Sequence, residues 1–139
     1  MTLPTHDARA EMDARVNAIE EAYEFFLAYA SQGLPSDQGS GTGARIREYL
    51  QRCDKALNGL GACIMQFVQH LGVETAPYRA YVNVIDRDAL DASAGIQLVL
   101  AQPAIGSQLI DNLNASIHLR AVLTDLFLID EALKAVGRP

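Results

Sequence analysis

Few groups in this sequence can do chemistry. It holds three histidines and two cysteines, with carboxylates spread along it. Metal chemistry is the first test. Di-metal carboxylate bundles draw a glutamate from each of two helices and a Glu-x-x-His from each of two others. No Glu-x-x-His is present. Glu20 and Glu24 share a helix face, but no histidine accompanies them there. His118 lies on the side of its helix that carries Asn114 and Asp125. Two helical turns, ~10.5 Å, separate His118 from Asp125, too far for both to hold one ion.

Nucleophilic chemistry fares no better. Cys53 and Cys63 fall in one predicted helix, ~15 Å apart, beyond disulfide reach, and read as buried thiols. No Gly-x-Ser-x-Gly elbow occurs. The segment GSGTGAR at 39–45 lacks the Lys-Ser/Thr ending of a phosphate loop. His70 closes a predicted helix, where a cation meets the dipole favourably, and His6 falls in an N-terminal tail. No catalytic or metal-ligating residue is assigned and no cofactor is expected; the balance leans toward a non-enzyme, with an enzyme whose site assembles at a dimer interface as a remaining alternative.

Contact residues remain. Tyr78, Arg79 and Tyr81 join two residue types that favour binding hot spots. Gly59 and Cys63, small residues beside a helical seam, suit a groove where another helix or a ligand approaches closely, with a kink as the alternative. His118 suits a polar contact that fixes the register of a partner.

The elements that would position these residues are helical. Apolar residues step by four and three along four segments. The first, about Asp7 to Ser31, carries Met12, Val16, Ile19, Tyr23, Phe26 and Ala30. The second, about Gly43 to Leu71 with Thr42 as cap, carries Ile46, Leu50, Cys53, Leu57, Leu60, Ile64, Phe67 and Leu71. The third starts near Pro77 and carries Tyr78, Val82, Ile85, Ala89, Ala92, Ile96 and Val99, with a break considered near Asn83–Asp86. The last runs from a Ser107 cap to Gly137 and has two seams. One is Ala115, Leu119, Val122, Leu126, Ile129, Leu133 and Val136; the other is Ile110, Ile117, Ala121, Thr124, Leu128 and Ala132.

Four helices of ~40 Å with mostly short connections predict an all-α fold, an antiparallel up-down-up-down four-helix bundle. One domain over 1–139 is expected, with a mobile, exposed glycine-containing linker at 32–43. Acids on the first helix and Arg45, Arg47, Arg52 and Lys55 on the second suit an antiparallel pair. The second seam of the last helix is left over once the bundle closes. It predicts a homodimer through that helix.

Charge narrows the partners. A net charge of −6 opposes binding to nucleic acid and to anionic membranes. No apolar run reaches a membrane span, and no secretory signal opens the chain, so a cytoplasmic setting is expected. The function expected is that of a helical adaptor, assembly or regulatory protein, acting as a homodimer on another protein. The alternative is a small-molecule or cofactor-binding bundle with an apolar pocket near the glycines of the second helix.

Overall fold

The computed structural model describes residues 5–39 and 41–136. The expected stop at Gly137 and the side chain of His6 lie outside the described residues. The described chain is all helical: α1 (Thr5–Ala30), α2 (Gly43–Leu57), α3 (Leu60–His70), α4 (Ala76–Leu100), α5 (Ser107–Ala115) and α6 (His118–Lys134). The two long helices, α1 and α4, each pack against α2, α3, α5 and α6. The predicted seams supply the core. Ile19, Phe26, Ile46, Leu50, Leu60, Ile64, Ile85 and Ile96 are all fully buried.

Two of the four expected helices are broken. The second stops at Leu57 because Gly59 takes a left-handed backbone, φ 78°, which favours glycine. Nothing packs tightly against Gly59, so the close-approach reading fails there and the kink holds. At Gly61 something does approach closely: an added Cβ would overlap the Asp86 carboxylate. Asp86 accepts a hydrogen bond from the Gly61 N–H at 3.1 Å and so caps the start of α3. The break considered at Asn83–Asp86 does not occur; α4 is continuous there.

The last segment breaks at Ser116 and Ile117. Ile117 sits at φ 66°, the one left-handed non-glycine among the described residues. A β-branched side chain there costs roughly 1–2 kcal/mol. Ile117 is half exposed and returns little packing for that cost. Ile117→Asn, which tolerates this backbone and can cap α6, should raise the unfolding stability of the single chain, measured at dilute concentration, by about 1 kcal/mol. An unchanged urea midpoint would show that the strain is relieved elsewhere.

The 32–43 linker is pinned rather than free. Asp37 Oδ1 accepts from the Ile105 N–H at 2.7 Å, and Asp37 Oδ2 pairs with Arg47 Nε at 2.8 Å. The Leu34 N–H donates to Ser107 Oγ at 2.8 Å, while Ser107 N–H donates to Leu34 O at 2.8 Å. Ser107 therefore joins α5 to the linker and to Tyr29 O; Gly106 stands at its cap position. Thr42 makes no side-chain cap bond to α2. The bond from the Ile105 N–H comes first in holding the Asp37 carboxyl below its ordinary range, with Arg47 adding to it.

The charged hairpin is thinner than expected. Arg52 reaches Glu21 across α1 and α2 at 3.7 Å. Arg45 instead lies over the Phe25 and Tyr49 rings, which stack with centroids 4.2 Å apart. That aromatic clamp with its cations does much of what salt bridges were expected to do.

Candidate functional site

Two places gather the candidate residues. The first is the α2–α3 break. Arg15 on α1 donates to Ala56 O at 3.1 Å and Asn58 O at 2.5 Å, satisfying carbonyls that the broken helix leaves open. Its Nε pairs with Glu11 at 3.0 Å. Beside it opens a cleft of about 720 Å³ lined by Gly59, Cys63, Gln66, Arg79, Asn83 and Asp86 among others. Gly59 and Cys63 thus line one cleft, joined by Arg79, which the sequence reading grouped with Tyr78 and Tyr81 instead. The cleft mixes charged and amide groups with apolar side chains, Met65 and Val82 among them, where an apolar pocket was expected. Burial raises the Cys63 thiol above its ordinary value and pushes Cys53 up to about 12. Both cysteines are unpaired and protonated at neutral pH, the state of an unreactive thiol.

The second place is the contact between α4 and α6. Tyr78 and Tyr81 line a pocket of about 270 Å³ with Pro77, Leu128, Ile129 and Ala132. Two tyrosines of the predicted cluster thus meet two residues of the predicted second seam, while Arg79 turns to the first cleft. The outer line of α6 carries Ile117, Ala121, Thr124, Leu128 and Ala132. Ile117, Phe127 and Leu128 are 52%, 59% and 56% exposed. On its far side a second groove of about 240 Å³ runs past Glu20, Tyr23, Arg120 and Phe127. The face is an apolar ridge between two grooves.

No family model, curated protein or solved structure matches this chain. The reading of the site therefore rests on its geometry. Ile110 leaves the predicted interface, because it is fully buried in the core. The polar strip of Asn114, His118 and Asp125 is also dispersed. Asn114 donates to Phe26 O at 3.3 Å, His118 is exposed at the start of α6, and Asp125 is buried.

Asp125 is the residue that pattern reading undervalued. It is 7% exposed. Its Oδ1 accepts from the Tyr81 hydroxyl at 3.0 Å, and its Oδ2 is buried with no hydrogen-bond partner. The neighbouring acid is Asp88 on α4. Burial first, and the Asp88 carboxyl next, push Asp125 up to about 6. Asp88 follows Tyr81 by two helical turns on α4, a same-face spacing. That spacing, with Asp125 set between the buried Val122 and Leu126, was the available signal. Among the described residues no group of three or more His, Cys, Asp or Glu is placed to hold a metal. No described helix is long and apolar enough to cross a membrane.

Proposed function

We propose that this chain is a non-enzymatic helical adaptor or assembly protein of the cytoplasm, working as a homodimer through the outer face of α6. In this reading α1, the α2–α3 pair, α4 and the α5–α6 pair form an antiparallel four-segment bundle with two of its segments broken. The observation that carries the reading is the exposed ridge Ile117–Ala121–Thr124–Leu128–Ala132. A soluble helix ordinarily turns such a line inward, and exposed contiguous apolar surface marks an interaction site.

A second copy fits the ridge better than an unrelated helix does. Two α6 helices packed antiparallel about a two-fold axis near Thr124 and Asp125 set Ala121 level with Leu128, and Ile117 level with Ala132. Each large side chain then faces a small one, as close helix packing needs. Tyr78 and Tyr81 flank the ridge as rim contacts. Sedimentation equilibrium at neutral pH should give twice the chain mass of 15.1 kDa. A monomer at high micromolar concentration would sink this reading.

The second reading, a small-molecule site, draws on the cleft beside Gly59 and Cys63. Its open, charged lining suits a polar ligand, and saturable binding there with no self-association would favour it.

A further inference from the structure

The buried Asp125 carboxyl poses a problem of proton accounting. Its Oδ1 takes the Tyr81 hydroxyl proton at 3.0 Å. Its Oδ2 has no donor and no water-accessible surface. An ionised carboxylate in that position is costly. The group facing it is another acid, Asp88, half-buried on α4. Among the described residues no ion pair reaches either carboxyl, and His118, two turns before Asp125 on α6, is exposed. From α1, Arg9 is engaged with Asp13 and Asp130, and Glu20 and Glu24 line the opposite groove of α6 with Arg120. On α6 itself, Lys134 pairs with Asp130 and Glu131. Among the described residues α5 sends no hydrogen bond or ion pair to Asp125. A buried oxygen lacking a donor, with a second carboxyl as its charged neighbour, is satisfied when one proton lies between the two groups.

We propose that Asp88 and Asp125 share one proton across the α4–α6 contact, and that its release loosens α6 and weakens docking on the α6 outer face. The docking half rests on the dimer reading above. Loss of the proton through half-buried Asp88 to solvent leaves two facing carboxylates, which repel. The same contact builds the Tyr78–Tyr81–Leu128–Ala132 pocket, and Tyr81 belongs to both the pocket and the carboxyl pair. A strained pair therefore disturbs one wall of the docking face directly.

The sign is fixed by linkage. The folded pair binds a proton that the unfolded chain releases at its lower, ordinary carboxylate value. The stabilisation is full below that value and is lost as pH rises through about 6. The melting temperature of the wild type, taken relative to Asp125→Asn, should fall by about 5 °C between pH 5 and pH 7.5. Subtracting the variant removes the general effect of the chain's acidic charge.

Carboxyl 13C NMR titration of the full chain tests the proton directly. The Asp125 carboxyl should titrate near pH 6 in the wild type. Asp88→Asn, whose amide N–H can donate to Asp125 Oδ2, should return Asp125 toward the ordinary range, and this holds even if Asp125→Asn folds poorly. Two ordinary titrations in the wild type would overturn the shared proton. In parallel, sedimentation should show the dimer dissociation constant rising roughly tenfold from pH 5 to pH 7.5 in the wild type and staying flat in Asp88→Asn. A shifted titration with an unchanged dissociation constant overturns the docking half alone. A chain monomeric at every pH overturns the dimer reading, and with it that half, while the NMR titration still decides the proton.

Discussion

Replacing Arg47 with alanine should destabilise the fold by about 3 kcal/mol. The guanidinium pairs with Asp37 Oδ2 at 2.8 Å and donates to Leu100 O at 3.1 Å and Gln102 O at 2.8 Å. One side chain thereby ties the 32–43 linker to the loop between α4 and α5. Its removal strands two carbonyls and leaves the Asp37 carboxylate, whose side chain is only 10% exposed, without its cation. Leaving a partly buried charge unpaired is a larger loss than the net worth of the pair. Arg47→Lys should fall between the two, since an ammonium keeps the charge but cannot fork to three acceptors. Urea unfolding measures the effect through the midpoint at constant slope. A loss under about 1 kcal/mol would show that the two loops hold each other without this joint. The pH dependence gives a second check. The folded value of Asp37 is lowered, so its stabilisation is present above the ordinary carboxylate range. It is lost as pH falls through the lowered value. Arg47→Ala should make that acid limb shallower without removing it, because the Ile105 N–H bond, the largest cause, remains. Asp125 slopes the other way, and the two groups are separable by pH alone.

The seams were legible in the sequence because burial forces them. Ile46, Leu50, Cys53, Leu57, Leu60 and Ile64 are all buried, with periodic spacing on both sides of the Asn58–Gly59 break. For the same reason the break itself was hidden: its two residues fall between Leu57 and Leu60, where a continuous helix would also place outward positions. Gly59 was a signal for a kink. Ile117 was not, since nothing in an isoleucine suggests a left-handed backbone. That single residue explains why Ile110 was placed on the wrong face. Counted through an unbroken helix, Ile110 and Ile117 share a side; the turn at Ser116–Ile117 resets the phase and sends Ile110 to the core. The Asp37–Arg47 joint and the Asp86 cap on Gly61 were illegible for another reason. Both pair residues from different elements, and no periodicity within one element reports on such a pair. The contact of Tyr78 and Tyr81 with Leu128 and Ala132 was half legible. Each group stood out on its own helix, but only the fold brings them to one pocket.

Leu128→Asp should convert a dimer to a monomer while leaving the monomer's melting nearly unchanged. Leu128 is 56% exposed in the single chain, so the substitution removes little core packing, and a surface change of this kind is ordinarily within about 0.5 kcal/mol. In the dimer the arithmetic differs. Two-fold symmetry places the substituted residue in the interface twice, each time level with Ala121 of the other copy. Fully burying a leucine side chain contributes about 1.5–3 kcal/mol, and Leu128 has 56% of its surface left to bury, so two lost contacts weaken association by roughly 1.5–3 kcal/mol, at least about tenfold. Desolvating two carboxylates adds to this. Sedimentation or light scattering reads the mass, and circular dichroism reads the fold of the same sample. Leu90→Asp is the matched control. Leu90 is 70% exposed but borders the groove of Asp54, Lys55 and Ser93 on the α2 side of α4. It should keep the dimer, because lost hydrophobicity alone is not the cause. If both variants keep the wild-type mass, self-association does not use α6. If Leu90→Asp alone dissociates, the interface lies along α4, where Leu98 is exposed to a similar degree, and the register of Ala121 against Leu128 is wrong.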